Sequence, residues 1–218
     1  MISLQTGHNV TLVDVSKEVL KTSETRINES IKRVAKKKFK DDPSQGDNFV
    51  SEAIGRLQMT SEPNEALSEA DLVVESVTEN IDLKKKLFST YDKVAPEKVQ
   101  FHITFAKTHY KCQNISLQTI FASNTSSLAI RDIASSCPNR MDRFGGLHFF
   151  NPVPVMKLLE VVRIPETSDE TVKSMMSWGQ AMGKTCVSAK DTPGTFLKVQ
   201  IFSSELAKYL HTYLRFHC

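Results

Sequence analysis

The 218-residue chain has few of the features that mark secreted, membrane or nucleic-acid-binding proteins. It has four cysteines without a CxxC pair and no secretory segment before them, which predicts reduced thiols in an intracellular protein. No apolar run approaches the length that crosses a bilayer, so we expect no membrane span. A net charge of +3 is too small to indicate a nucleic-acid partner.

Glycine is scarce where a dinucleotide-binding fold would need it. The segment Asn9–Val15 has the composition of a buried strand with an acid, Asp14, near its end. In dinucleotide folds an acid at the tip of the second strand contacts the ribose, about 20 residues after a glycine-rich turn. Gly7 is the only glycine before Asp14, and it suits the C′ position of a preceding helix. From the residues alone, Asp14 is either such an acid or an ordinary strand end.

The rest of the chain alternates between strand and helix patterns, which predicts an α/β fold. Further strands are expected at Arg56–Ser61, Asp71–Val77, Thr119–Ala122, Phe144–Phe150, Met156–Val162 and Thr185–Ala189. Helices are expected from Ser16 to Lys40, from Gly46, over Asn64–Ala70, up to Ala95, from Ser126 or Ser127, and from a capping box at Thr167–Glu170 to Gly183.

Two ionisable residues stand in apolar surroundings, His148 at the end of an apolar run and Glu160 within KLLEVV. A buried carboxylate is costly unless it is paired, and His148 is the nearest candidate partner. A carboxylate that holds an imidazole in one tautomer makes it a better base. Taken alone, the two residues fit better with a core histidine and an outward-facing glutamate.

The surrounding motifs change that interpretation. SNTSSL at Ser123–Leu128, followed by RFGGLHFFNPVPVMKLLEVV at Arg143–Val162, closely resembles the L-3-hydroxyacyl-CoA dehydrogenases, NAD-dependent enzymes of fatty-acid β-oxidation. The resemblance covers about Thr6–Lys98 and Thr119–Gly194. It implies an incomplete Rossmann-like parallel sheet over residues 1–190, without its first strand and glycine loop. Residues 191–218 would be a divergent remnant of a helical domain, so the chain looks truncated at both ends.

The resemblance also implies a role for individual residues. His148 would be the general base, Glu160 would orient it, and Ser126 would bind the substrate oxygen and lie near the cofactor. The remaining residues of the NAD site would be Asp14, Glu79, Lys84 and Asn151, and Ser30 and Lys37 would bind the phosphates of CoA. Simpler alternatives are an N-cap at Ser126, ordinary surface charges at Glu79 and Lys84, and a solvated helix face at Lys36–Lys38.

One segment departs from the family. Residues 99–118 lengthen a connection that is short in related chains, and we expect a surface loop without chemistry there. His102, His109 and Cys112 within it have no metal-ligand spacing.

Three functions remain open. The first is the oxidation of L-3-hydroxyacyl-CoA in the mitochondrial matrix by a homodimer, as in the family. The second is a truncated, wrongly assembled or decayed family member without catalysis. The third is an acyl-CoA binding module without chemistry.

Overall fold

The computed structural model describes residues 1–95 and 119–192. The predicted loop at 99–118 lies outside this part, as does all of the predicted helical remnant except Asp191 and Thr192. The α-helices are α1 (Ile2–Gln5), α2 (Lys17–Lys38), α3 (Pro43–Gly55), α4 (Pro63–Leu67), α5 (Ile81–Asp92), α6 (Ile130–Ala134) and α7 (Asp169–Ala181). The strands are β1 (Val10–Val13), β2 (Leu57–Thr60), β3 (Leu72–Glu75), β4 (Ile120–Ser123), β5 (Phe144–Phe149), β6 (Leu158–Arg163) and β7 (Thr185–Lys190), and a 3-10 helix spans Pro138–Arg143.

The strands form two groups that fit one Rossmann-like plan. Strands β1 and β2 pair in parallel, and the second group has the order β3-β4-β5-β6-β7, in which only β5 and β6 are antiparallel. In the dinucleotide-binding order 3-2-1-4-5-6, β2, β1 and β3 take the places of strands 3, 2 and 4. Within the described ranges no strand occupies the place between β1 and β3. The prediction of an α/β fold with an incomplete parallel sheet is confirmed.

Polar side chains begin four of the helices. Ser16, Asp42, Asn80 and Ser168 each accept a hydrogen bond from the backbone amide three residues later. The prediction that α3 opens at Gly46 was wrong, because Asp42 is the cap and Pro43 occupies the first turn. The capping box was placed one residue early. The cap is Ser168, because the Thr167 hydroxyl already donates to the Phe144 carbonyl and accepts from the Ile164 amide.

The core lies on both faces of the larger sheet. Alternate residues of a strand point to opposite faces, so Phe121 and Val162 pack on the side of α5 and α6. Their neighbours Ala122 and Val161 pack on the side of α7. A third cluster joins α1, α2 and α3 through Leu4, Ile31 and Ala53. On α7, Met175 is almost fully buried in the second cluster and Met176 packs against it.

Candidate active site

The antiparallel pair β5–β6 brings His148 and Glu160 together. They are directly opposite each other in the register, so their side chains lie on the same face of the sheet. The imidazole Nδ1 is 2.9 Å from Glu160 Oε2. Glu160 is fully buried, whereas the His148 side chain keeps 14% of its surface exposed. The contact that the sequence hypothesis requires is therefore present in the structure.

This geometry defines which nitrogen of His148 can act as a base. An ionised carboxylate only accepts hydrogen bonds, so Nδ1 carries a hydrogen atom and donates a hydrogen bond to Glu160. Nε2 then holds the lone pair of the neutral imidazole. Since Glu160 is buried and the imidazole is partly exposed, the arrangement can take a proton from a bound hydroxyl group.

A buried cluster of charge lies where β3 and β4 end. Lys84 Nζ, which has no exposed surface, lies 2.8 Å and 3.0 Å from the two carboxylate oxygens of Glu75. Glu75 also accepts from the Ser123 hydroxyl at 2.6 Å and from the Val77 amide at 2.5 Å. The alternative that Lys84 is an ordinary surface charge is thus excluded. Its amine binds the Glu75 carboxylate, which joins the end of β3 to Ser123 at the end of β4.

Glu79 ties the neighbouring loop to this cluster. Its Oε2 is 3.6 Å from Lys84 Nζ, and its Oε1 accepts from the Thr125 hydroxyl, the Ser126 and Ser127 amides and the Ser127 hydroxyl. Burial alone raises the pKa of the Glu79 carboxyl. Hydrogen bonds from residues 125–127 and the charge of Lys84 outweigh that effect and lower the pKa from its ordinary value. The Ser126 and Ser127 amides are therefore bound to Glu79.

The helix after this loop begins later than predicted. It starts at Ile130 rather than at Ser126 or Ser127, and it has only five residues. The carboxylate of Asp191, from the other end of the domain, accepts from the Ile130 and Arg131 amides at 3.0 Å and 2.8 Å. Ser126 is therefore not an N-cap. Its side chain is exposed on a loop held by Glu79.

Asp14 lies just after β1, at the carboxyl edge where open α/β sheets bind ligands. One carboxylate oxygen accepts from the Ser16 amide at 2.8 Å, and within the described ranges Oδ2 bonds to no protein donor. Oδ2 is thus available to accept from ribose hydroxyls, so Asp14 fits NAD. The glycine-rich turn that the fold uses for the pyrophosphate is not found among residues 1–95 and 119–192.

The other predicted residues lie on α2 and in the turn after β5. Ser30 and Lys37 are two turns apart on one side of α2, with Lys37 exposed. Asn151 is exposed in the turn after β5 and precedes a cis peptide bond to Pro152. The residues described contain no group of three or more His, Cys, Asp or Glu that could hold a metal ion, and no helix among them is long and apolar enough to cross a membrane.

Sequence reasoning missed two side chains that shape the site. Glu75 had a usable signal, because a carboxylate that ends an apolar strand needs a buried partner just as Glu160 does. Asn124 gave only the general signal of a polar residue after a strand. Its side chain nevertheless bonds to Ser76, just after β3, and to Phe149, at the end of β5. Burial raises the pKa of the Cys137 thiol to about 11, so the thiol stays protonated at neutral pH.

Comparison with known proteins gives the family. Residues 1–104 and 104–192 match the family described as 3-hydroxyacyl-CoA dehydrogenase, NAD binding domain. The mouse protein named hydroxyacyl-coenzyme A dehydrogenase, mitochondrial, is 42% identical over 216 residues, which are 99% of this chain and 60% of that protein. Its human counterpart is 43% identical over 88% of this chain and 55% of its own length.

Solved structures agree with the sequence comparison. The (S)-3-hydroxybutyryl-CoA dehydrogenase of Ralstonia eutropha has a TM-score of 0.73 at 31% identity, covering 90% of this chain and 60% of that one. The 3-hydroxybutyryl-CoA dehydrogenase of Escherichia coli has a TM-score of 0.69 at 32% identity, covering 88% of this chain and 35% of that one. The chain spans 60% or less of the length of each of these four relatives. It belongs to the 3-hydroxyacyl-CoA dehydrogenase family and corresponds to the NAD-binding part of that family.

Proposed function

We propose that the protein oxidises the hydroxyl group of an L-3-hydroxyacyl-CoA to a ketone with NAD. The single observation that carries the proposal is the contact between His148 Nδ1 and the buried carboxylate of Glu160. Relatives that are 42–43% identical bear the name hydroxyacyl-coenzyme A dehydrogenase, which supports the same reaction here.

In the proposed reaction His148 Nε2 removes the proton from the substrate hydroxyl. Glu160 keeps the proton of the imidazole on Nδ1 and stabilises the imidazolium that forms. A base positioned in this way contributes about 100- to 10,000-fold to the rate. The Ser126 hydroxyl would donate to the substrate oxygen. Bound NAD would supply the acceptor for the hydride that leaves C3.

The remaining residues would hold the ligands. Asp14 would accept from the ribose hydroxyls through Oδ2, with Asn151 beside the nicotinamide. Glu79 and Lys84 would hold the loop at 125–127 in place beside NAD, through the hydrogen bonds and the ion pair that they make. Ser30 and Lys37 would contact the phosphates of CoA, for which a flexible ammonium on an exposed helix face is well suited.

The names of the relatives support a proposal on the cellular setting. Because the mammalian relatives are named mitochondrial, we propose that this protein works in the mitochondrial matrix, in fatty-acid β-oxidation. A homodimer is the oligomeric state that the resemblance implies. Fractionation of cells and light scattering of the purified protein would test these two statements separately.

The test of the reaction is NADH formation by the purified protein with NAD and L-3-hydroxybutyryl-CoA. We expect NADH to form with the L substrate and not with the D enantiomer. A folded protein that forms no NADH with the L substrate would contradict the proposal.

A second candidate is acyl-CoA binding without chemistry. The observation that favours it is the pair Ser30 and Lys37 on α2, two turns apart with Lys37 exposed. Calorimetry would separate the two functions. Heat of binding with CoA but none with NAD would favour the second candidate, and no heat with CoA from a folded sample would remove it.

A further inference from the structure

The strand that carries His148 loses one neighbour before it ends. Backbone pairing between β4 and β5 stops at Ser123 and Gly146. Among the described strands, the last three residues of β5, Leu147 to Phe149, pair only with β6. The base therefore lies on a stretch of strand whose β4 side is not held by a backbone ladder.

Beyond the last backbone pair, the side chain of Asn124 connects β4 to β5. Its Oδ1 accepts a hydrogen bond from the Phe149 amide at 3.1 Å, one residue after His148. Its Nδ2 lies 3.2 Å from the Ser76 hydroxyl, and its own amide donates to the Glu75 carbonyl at 2.7 Å. Asn124 thus extends the sheet from β3 across β4 to β5 by one step beyond the last backbone pair.

The identity of the residue matters for this bridge. An amide side chain offers an acceptor and a donor on one short planar group. The Phe149 amide can only donate, so the oxygen of Asn124 must face it and the NH2 group must face Ser76. Alanine would remove both bonds and leave the Phe149 amide without this acceptor, and aspartate would keep the acceptor alone.

We propose that Asn124 is a positioning residue that fixes the depth of His148 in the active site. This inference rests on the proposed dehydrogenase function. Asn124 acts on the backbone of β5 on the side opposite β6, while Glu160 acts on the imidazole itself. The two restraints together define where Nε2 stands relative to the loop that carries Ser126, since Asn124 and Ser126 are two residues apart on that loop.

The consequence is a selective loss of turnover. A displacement of about 1 Å at a reacting group can cost about 100-fold in rate. We expect Asn124→Ala to lower kcat by about 10- to 100-fold while KM for NAD and for the acyl-CoA stays within about twofold. A residue that only stabilised the fold would lower the amount of active protein without this split between kcat and KM.

The experiment compares Asn124→Ala with Asn124→Asp, and with Asn64→Ala as a control at an exposed asparagine of α4. Besides kinetics, it follows the hydrogen exchange of the Phe149 amide and the nitrogen NMR signals of the His148 ring. Alanine should abolish the protection of Phe149 and shift the nitrogen signals of the His148 ring. Aspartate should restore the protection and bring kcat within about threefold of the wild type, and Asn64→Ala should change nothing.

Two failures can be told apart. If the wild type forms no NADH but the alanine variant still loses Phe149 protection and shifts the nitrogen signals of His148, the dehydrogenase function fails and the positioning of the imidazole stands. If the wild type is active and the alanine variant keeps kcat within about twofold, the inference is overturned. It is also overturned if the aspartate variant protects Phe149 yet is as slow as the alanine variant.

Discussion

Removal of the Lys84 amine would test whether the charge cluster at the ends of β3 and β4 stabilises the fold. Substitution of Lys84 by methionine keeps the length and apolar stem of the side chain but removes its charge. The Glu75 carboxylate, with 2% of its side chain exposed, then stays buried without its cationic partner. The uncharged donors that remain to it are the Ser123 hydroxyl and the Val77 amide.

The size of the effect follows from that burial. Removing one partner of a buried ion pair costs about 3–5 kcal/mol, because the other charge is left without its partner. For a domain of this size the melting temperature should fall by roughly 6–20 °C. A second substitution, Glu75→Gln, removes the remaining charge; its amide oxygen can accept from the Val77 amide, and its NH2 group can donate to the Ser123 hydroxyl. The double variant should therefore be more stable than Lys84→Met alone.

Urea unfolding of the wild type, the two single variants and the double variant measures these differences. Lys86→Met, at an exposed lysine of the same helix, is the matched control and should stay within about 0.5 kcal/mol of the wild type. A Lys84→Met variant within about 1 kcal/mol of the wild type, or a double variant less stable than the single one, would refute the reasoning.

Two further predictions concern packing and pH. Gly146→Ala should lower the free energy of unfolding by about 1–3 kcal/mol, because the new Cβ would lie 2.9 Å from Ile130 Cδ1 and from Val162 Cβ. Gly55→Ala is the control, since a Cβ at that position would have no atom within 4 Å outside its own helix and chain neighbours. In the same unfolding assay it should be neutral or up to about 1 kcal/mol more stable. The lowered pKa of Glu79 means that its contribution to stability is present above its ordinary pKa of 4.5 and is lost as the pH falls through the lowered value. The difference in urea midpoint between wild type and Glu79→Gln should therefore be clear at neutral pH and shrink in acid, and an unchanged difference would contradict this assignment.

The pairing of His148 with Glu160 was predicted from the resemblance of the surrounding motifs to a known family. The two residues alone fitted better with a core histidine and an outward-facing glutamate, because a sequence pattern does not show which residues of two strands lie opposite each other. The α/β order and the strand that ends next to Asp14 follow from the alternating strand and helix patterns.

The remaining contacts depend on distances that a pattern does not contain. Lys84 stands in the run Lys84–Lys86, which is typical of a solvated helix face, and only the packing of α5 shows that it is buried. The start of α6 depends on Asp191, which is 61 residues away from Ile130. The bridge made by Asn124 depends on where β4 stops pairing with β5, which is set by the relative shift of the two strands.

The central claim is that His148, held by Glu160, is the base of a dehydrogenase. The most direct measurement is kcat for NADH formation from L-3-hydroxybutyryl-CoA by His148→Gln, compared with the wild type at matched folded concentration. The account predicts a fall of about 100- to 10,000-fold with unchanged affinity for NAD. A His148→Gln variant that turns over within about threefold of an active wild type would contradict it.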